Sequence, residues 1–209
     1  MLLVFFVKGI LVGFVIAVPV GPVGVMCVRR TIFEGKLAGF VSGLGAATAD
    51  AMFGIIAGFG LSMVSEWLLD YQQWLRAAGA GFLLVIGGRA LVTKPEVKAE
   101  ARPDPESLWW YYGSTFALTL TNPITLLAFL GIFAAVGLSG ASATVGHAAI
   151  LVLGVWVGSL IWWLGLSFGI GLFRDSIEPR QLAWINRGSG TILLLSGAGL
   201  LADLVAGWR

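Results

Sequence analysis

Ala17-Val18-Pro19-Val20-Gly21-Pro22-Val23-Gly24-Val25 lies inside an otherwise apolar run, and its reading decides the fold. The run from Leu3 to Cys27 is long enough to cross a hydrocarbon core, which takes about 20 residues of helix. Proline has no N–H to contribute and its ring clashes with the preceding turn. A helix carrying Pro19 and Pro22 therefore breaks or kinks partway across the bilayer. A second stretch, Thr121-Asn122-Pro123, interrupts a later apolar run in the same manner.

The rest of the chain fits a membrane setting. Its 209 residues are 58% hydrophobic and only 11% charged, with a mean hydropathy of +0.93, against about a quarter charged in soluble domains. That excludes a soluble enzyme. The 13 basic and 11 acidic side chains are too evenly matched to imply a nucleic-acid partner. A single cysteine, Cys27, gives no internal disulfide and no dithiol relay. No cofactor is expected.

We read one all-α membrane domain over residues 1–209, with six spans near Leu3–Cys27, Leu37–Val64, Trp74–Val92, Leu108–Leu138, Val145–Leu172 and Ser189–Gly207. The first is expected to be retained, since Lys8 interrupts its start and the run is long for a signal peptide. Residues 93–107 alternate charge between three prolines and read as a solvated linker. Basic residues cluster after the first span (Arg29, Arg30, Lys36), in the linker (Lys94, Lys98, Arg102) and after the fifth (Arg174, Arg180, Arg187). The positive-inside rule then puts these connections in the cytoplasm and both termini outside. Trp109, Trp110, Tyr111 and Tyr112 read as an interfacial aromatic belt.

The glycines carry a repeat. Adding 111 maps Gly43, Ala47, Gly54, Gly58 and Gly60 of the second span onto Gly154, Gly158, Gly165, Gly169 and Gly171 of the fifth, and Thr48 onto Ser159. Small residues in rows let membrane helices approach closely. Each glycine row follows one of the two broken spans. The chain thus divides into repeats of about 1–92 and 108–209, and an odd number of spans in each makes them inverted.

Inverted repeats with broken helices near the midplane are the arrangement of secondary transporters, with substrate held between the halves. Gly21, Pro22, Gly24, Thr121, Asn122 and Pro123 are the candidate substrate-binding residues. Amide donors at the start of the half-helix after Pro22 suit a carboxylate or phosphate, and Asn122 and Thr121 add polar side chains opposite. Asp50 is the only carboxylate well inside a predicted span, where insertion costs roughly 3 kcal/mol at the centre. Exposed alternately to two aqueous sides, it can carry a proton, with Thr48 as a neighbouring hydroxyl; it can also pair with a substrate ammonium, or simply tether two helices. The shift of 111 maps it onto Ile161, so one half alone carries the charge. Arg29 and Arg30 fix topology and stand close enough to the break to gate it. His147 reads as interfacial, and Trp156, Trp162 and Trp163 as packing residues that could also line a pocket.

The Ala17–Val25 run, the paired Arg29-Arg30, the glycine-rich helix through Ala49-Asp50 and the Thr121-Asn122-Pro123 stretch together resemble the lysine exporter (LysE/RhtB) family of amino-acid efflux transporters. The resemblance implies a bacterial-type inner-membrane carrier that exports amino acids or related metabolites in exchange for protons and can form homo-oligomers. Gly21, Pro22, Asp50, Asn122 and Pro123 stand at the family's motif positions. Many members place an asparagine where this chain has Gly24, which shifts the expectation from basic toward small neutral amino acids. A divalent-metal or other small-ion exporter and a passive small-solute pore remain as alternatives, although the sequence offers no clustered ligands for a metal.

Overall fold

A computed structural model describes residues 2–18, 21–59, 70–93, 105–122, 125, 128, 129, 131, 145–177 and 179–207. These form seven helices: α1 Leu2–Ala17, α2 Pro22–Glu34, α3 Lys36–Gly58, α4 Gln72–Val92, α5 Pro105–Leu120, α6 Val145–Phe173 and α7 Pro179–Gly207. A single 3-10 turn, Arg174–Ser176, follows α6. No strand occurs among the described residues.

The first break falls where the prolines require it. α1 ends at Ala17 and α2 starts at Pro22, with the two axes bent by 82°. Pro22 occupies the opening of α2, where a missing N–H leaves no intrahelical bond unmade. The second break is seen from its near side. Beyond Leu120 the chain tightens, Asn122 N–H donating to Thr119 O at 3.1 Å, and Asn122 is no longer helical. A residue that precedes a proline is disfavoured in the α region. Pro19 and Pro123 themselves lie outside the described residues.

Four helices, α3, α4, α6 and α7, are long and apolar enough to cross a bilayer, and the bent pair α1–α2 makes a fifth span. Of the expected fourth span, Leu108–Leu138, the described part is α5 and a few residues beyond it. Two boundaries differ from those expected. α7 begins at Pro179, ten residues ahead of the expected Ser189. Arg29 and Arg30 belong to helix α2, and the connection to the second span is Gly35 alone. Gly35 has φ of 104°, a left-handed conformation that favours glycine, and this permits a one-residue turn.

Packing follows the small residues, but not as one continuous row. α1 lies against α6 through Gly9 and Gly13 on one side and Gly154 and Gly158 on the other; a Cβ on Gly13 would meet the backbone of Val155, and one on Gly158 the backbone of Ile10. α5 lies against α3, where Gly45 faces the Tyr112 backbone. α3 packs on α6 and α4 on α7. The short α2 touches α3, α5, α6 and α7 and so occupies the middle of the bundle. Gly165 and Gly169, which the repeat places in the same row as Gly154 and Gly158, have open space where a side chain would be. A glycine in a helix shows its position in sequence, while which face meets a neighbour depends on the crossing angle.

The open and closed glycines give a direct test. Gly158→Val should destabilise the protein by about 1–3 kcal/mol, the range for overpacking a tight contact, and lower its melting temperature in detergent. Gly165→Val should leave that temperature within experimental error. Equal effects would contradict the α1–α6 crossing.

Candidate functional site

Asp50 lies on the α3 face turned toward α6. It is 4% exposed, and Ser159 Oγ donates to its Oδ2 at 2.7 Å. Down the same face, Gly43 abuts the Trp163 side chain and Gly39 the hydroxyls of Thr31 and Ser167. Small residues on α3 thus make room for larger ones on α6, which brings the carboxylate to its serine. The shift of 111 pairs Thr48 with Ser159 in sequence, yet only Ser159 reaches Asp50. Thr48 instead donates to Leu44 O in its own helix at 2.8 Å. Ile161, the position that maps to Asp50, is 49% exposed on the outer side of α6.

Where the first span breaks, a cavity of about 470 Å³ opens. Gly21, Pro22 and Gly24 from the start of α2 line it, with Asp50 from α3 and Asn122 from the second break. Two interruptions separated by 100 residues of sequence therefore meet in one space. Its size falls in the range of small-molecule sites. Most of the lining is apolar, with a few converging polar groups, as such sites require.

The cavity is also lined by Thr119 and Thr125, which no sequence motif marks, and by Trp163, one of the tryptophans expected either to pack or to line a pocket. Thr119 stands three residues before Asn122, a spacing that a continuing helix would place on one face, and this is the signal that could have found it. Thr121 does not line the cavity. Its hydroxyl donates to Leu118 O at 2.8 Å, and its side chain packs toward Gly79 of α4. Pro123 lies outside the described residues.

Arg30 and Arg29 occupy two different environments. Arg30, 5% exposed, is held in a cage of neutral acceptors. Its Nη1 donates to Ser42 Oγ, Tyr111 O and Thr115 Oγ1, each at 2.9 Å, and its Nη2 to Ser114 Oγ at 2.8 Å. Ser42, Ser114 and Thr115 donate to carbonyls of their own helices, which leaves oxygen lone pairs for the guanidinium. The Tyr111 ring lies 5.0 Å from the guanidinium carbon. One side chain thereby fastens α2 to both α3 and α5. Tyr111 is turned inward for this task and donates to Glu34 Oε2 at 3.2 Å, whereas Trp109 and Trp110 remain exposed as an interfacial belt would be.

Arg29 reaches α7 instead. Its Nε and Nη2 donate to Asn186 Oδ1 at 3.3 and 3.2 Å. Asn186 Nδ2 in turn donates to Ala90 O and Thr93 O at the end of α4, satisfying carbonyls that a helix terminus leaves open. Arg174, after α6, donates to Ile32 O at 2.8 Å. These bonds gather the last turns of α2, the end of α4, the first turns of α7 and the turn after α6 at one end of the bundle.

Long apolar helices, a span broken at its middle and a partly polar cavity at the break define a multi-pass membrane transport protein. The chain belongs to the LysE type translocator family, whose sequence model matches residues 14–204. It is similar to the "Putative amino acid efflux protein YcgF" of Bacillus subtilis (strain 168), with 29% identity over 196 residues and 92% of each chain covered. It is also similar to the "Uncharacterized membrane protein YahN" of Escherichia coli (strain K12), with 26% identity over 147 residues, 69% of this chain and 65% of that protein. No solved structure matches it.

The two arginines predict different outcomes. Arg30→Ala removes several charge-assisted bonds from a buried site, each worth about 1.5–3 kcal/mol. It should lower the thermal stability of the purified protein sharply or abolish its recovery. Arg29→Ala removes the bonds to the buried Asn186 amide oxygen and should cost about 1–3 kcal/mol, clearly less than Arg30→Ala. Thermal unfolding in detergent distinguishes them, and a tolerated Arg30→Ala would contradict the anchoring role.

Proposed function

We propose that the protein is a secondary exporter that moves a small neutral amino acid out of the cytoplasm in exchange for protons. The cavity carries this reading: two helix breaks and a buried carboxylate line the same space, which is of metabolite size. Membership of the LysE type translocator family and the likeness to a protein named for amino acid efflux support the substrate class. The described lining includes one carboxylate and no lysine, arginine or histidine. One carboxylate suits the single ammonium of a neutral amino acid better than the two cations of a basic one.

Alternating access between two inverted repeats is the mechanism we infer. The helix pairing supports it. Exchanging the first three spans with the last three turns the α1–α6 contact into the α5–α3 contact, while the α3–α6 and α4–α7 contacts map onto themselves. Such a pattern is expected when a pseudo-two-fold axis lies in the membrane plane. Rocking one half against the other would expose the cavity to each side in turn.

Asp50 is the proposed coupling residue. Facing the cytoplasm it would release a proton and bind the substrate ammonium; facing outside it would exchange the amino acid for a proton. Ser159 would hold the carboxylate in one orientation throughout. Arg29 is the proposed gate, because its bonds to Asn186 bridge α2 to α7 and can separate without emptying a buried cage. Collecting Arg29 and Arg174 at one end fits a cytoplasmic placement of that end in a bacterial inner membrane, with both termini outside.

Proteoliposomes loaded with each of the twenty amino acids test the proposal. Wild-type protein should release at least one neutral amino acid saturably when the outside is made acidic. Asp50→Asn should reduce that pH-driven release at least tenfold. Full pH-driven export by Asp50→Asn would remove the carboxylate from the mechanism, and release that does not saturate with concentration would favour a pore.

A further inference from the structure

One residue in the cavity wall carries a buried donor that the described residues leave unbonded. Trp163 lines the cavity beside Asp50 and is 4% exposed, and its indole Nε1 has no hydrogen-bond partner among the described residues. A buried indole N–H ordinarily finds an acceptor. Hydrocarbon supplies none, so an unmet donor at this depth is meaningful only where it faces protein or an aqueous space.

The ring is held in place by its surroundings. On one side, the absent side chain of Gly43 leaves room for Trp163 Cβ and Cγ; a Cβ there would come within 2.7 Å of Cγ. Ala17, Cys27, Ala46 and Ala47 complete the packing. Its neighbour Trp162 is used differently, edge-on against Phe14 with ring centroids 5.5 Å apart. Ser159 precedes Trp163 by four residues, so the two side chains share one face of α6. The first of them is bonded to Asp50 Oδ2. An anion-bearing group and an unused donor are thus one helical turn apart along the same wall.

We propose that Trp163 is a substrate-binding residue whose indole N–H donates to the carboxylate of an α-amino acid while Asp50 takes the ammonium. This rests on the exporter reading above. The polarity of the two groups fixes the direction of the ligand. An indole nitrogen donates only, so it cannot bind the ammonium, and an ionised carboxylate accepts only, so it cannot bind the carboxylate. The described lining offers the carboxylate no cationic side chain, so neutral donors must serve. Trp163 thereby selects zwitterions over simple amines.

The test uses full-length protein in proteoliposomes, the amino acid found to be exported, and its amide, in which a carboxamide replaces the carboxylate. Trp163→Phe keeps an aromatic ring against Gly43 and removes the indole N–H together with part of the ring volume. It should raise KM for the amino acid about tenfold or more, because a hydrogen bond to an ionised group is lost, with the maximal rate within about twofold. As a competitor, the amide should be at least tenfold weaker than the amino acid against wild type and nearly equal to it against Trp163→Phe. A purely structural role would instead lower the maximal rate and leave that ratio alone. Unchanged KM in Trp163→Phe, beside an active wild type, overturns the assignment and leaves the exporter reading intact. Wild type that exports none of the twenty amino acids overturns both. If Trp163→Phe elutes as aggregate in size exclusion, competition against wild type decides, and an amide as effective as the amino acid overturns the proposal.

Discussion

A helix that stops inside a membrane leaves backbone groups that hydrocarbon cannot satisfy, so irregular backbone survives there only against protein or an aqueous cavity. The break between Ala17 and Pro22 imposes that constraint, and the rest of the bundle is arranged around it. Bent by 82° from α1, α2 runs into the middle of the molecule and brings Gly21, Pro22 and Gly24 to a shared space. The end of α5 delivers Asn122 to the same space from the other half of the chain.

Holding α2 at that angle takes more than apolar contact. Its first turns pack through Val25 and Met26 on Leu83, Leu118 and Leu193, and its last through Ile32 and Phe33 on Leu182. Between these layers Arg30 is bonded by the hydroxyls of α3 and α5. A buried cation whose hydrogen bonds go to neutral oxygens is expensive in a bilayer, and its reward is directional. The cage fixes the rotation of α2 about its own axis, and that rotation determines which residues face the cavity.

The breaks and the acid were legible in the sequence because proline and aspartate carry their physical consequences wherever they occur in a membrane span. Helix faces were less so. The shift of 111 aligns glycines correctly in sequence, yet Gly154 and Gly158 meet α1 while Gly165 and Gly169 face open space. For the same reason Thr121, chosen as a neighbour of Asn122, points toward α4, while Thr119, one turn earlier, lines the cavity. Two adjacent charges such as Arg29 and Arg30 ordinarily end a span; the hydroxyls that let the helix continue lie 12 and about 85 residues away. Asn186, which joins α7 to the end of α4, has no signal in the sequence that separates it from any other helical asparagine.

The central claim is that the space at the breaks is the transport path and opens to one side at a time. Thr119→Cys places a thiol in its wall, in a protein whose native Cys27 is buried. Labelling with a membrane-impermeant maleimide, applied to one face of oriented proteoliposomes at a time, measures access directly. An opposing amino-acid gradient should switch reactivity from one face to the other, and saturating substrate should slow it. Simultaneous reactivity from both faces, or none from either under any gradient, would contradict it.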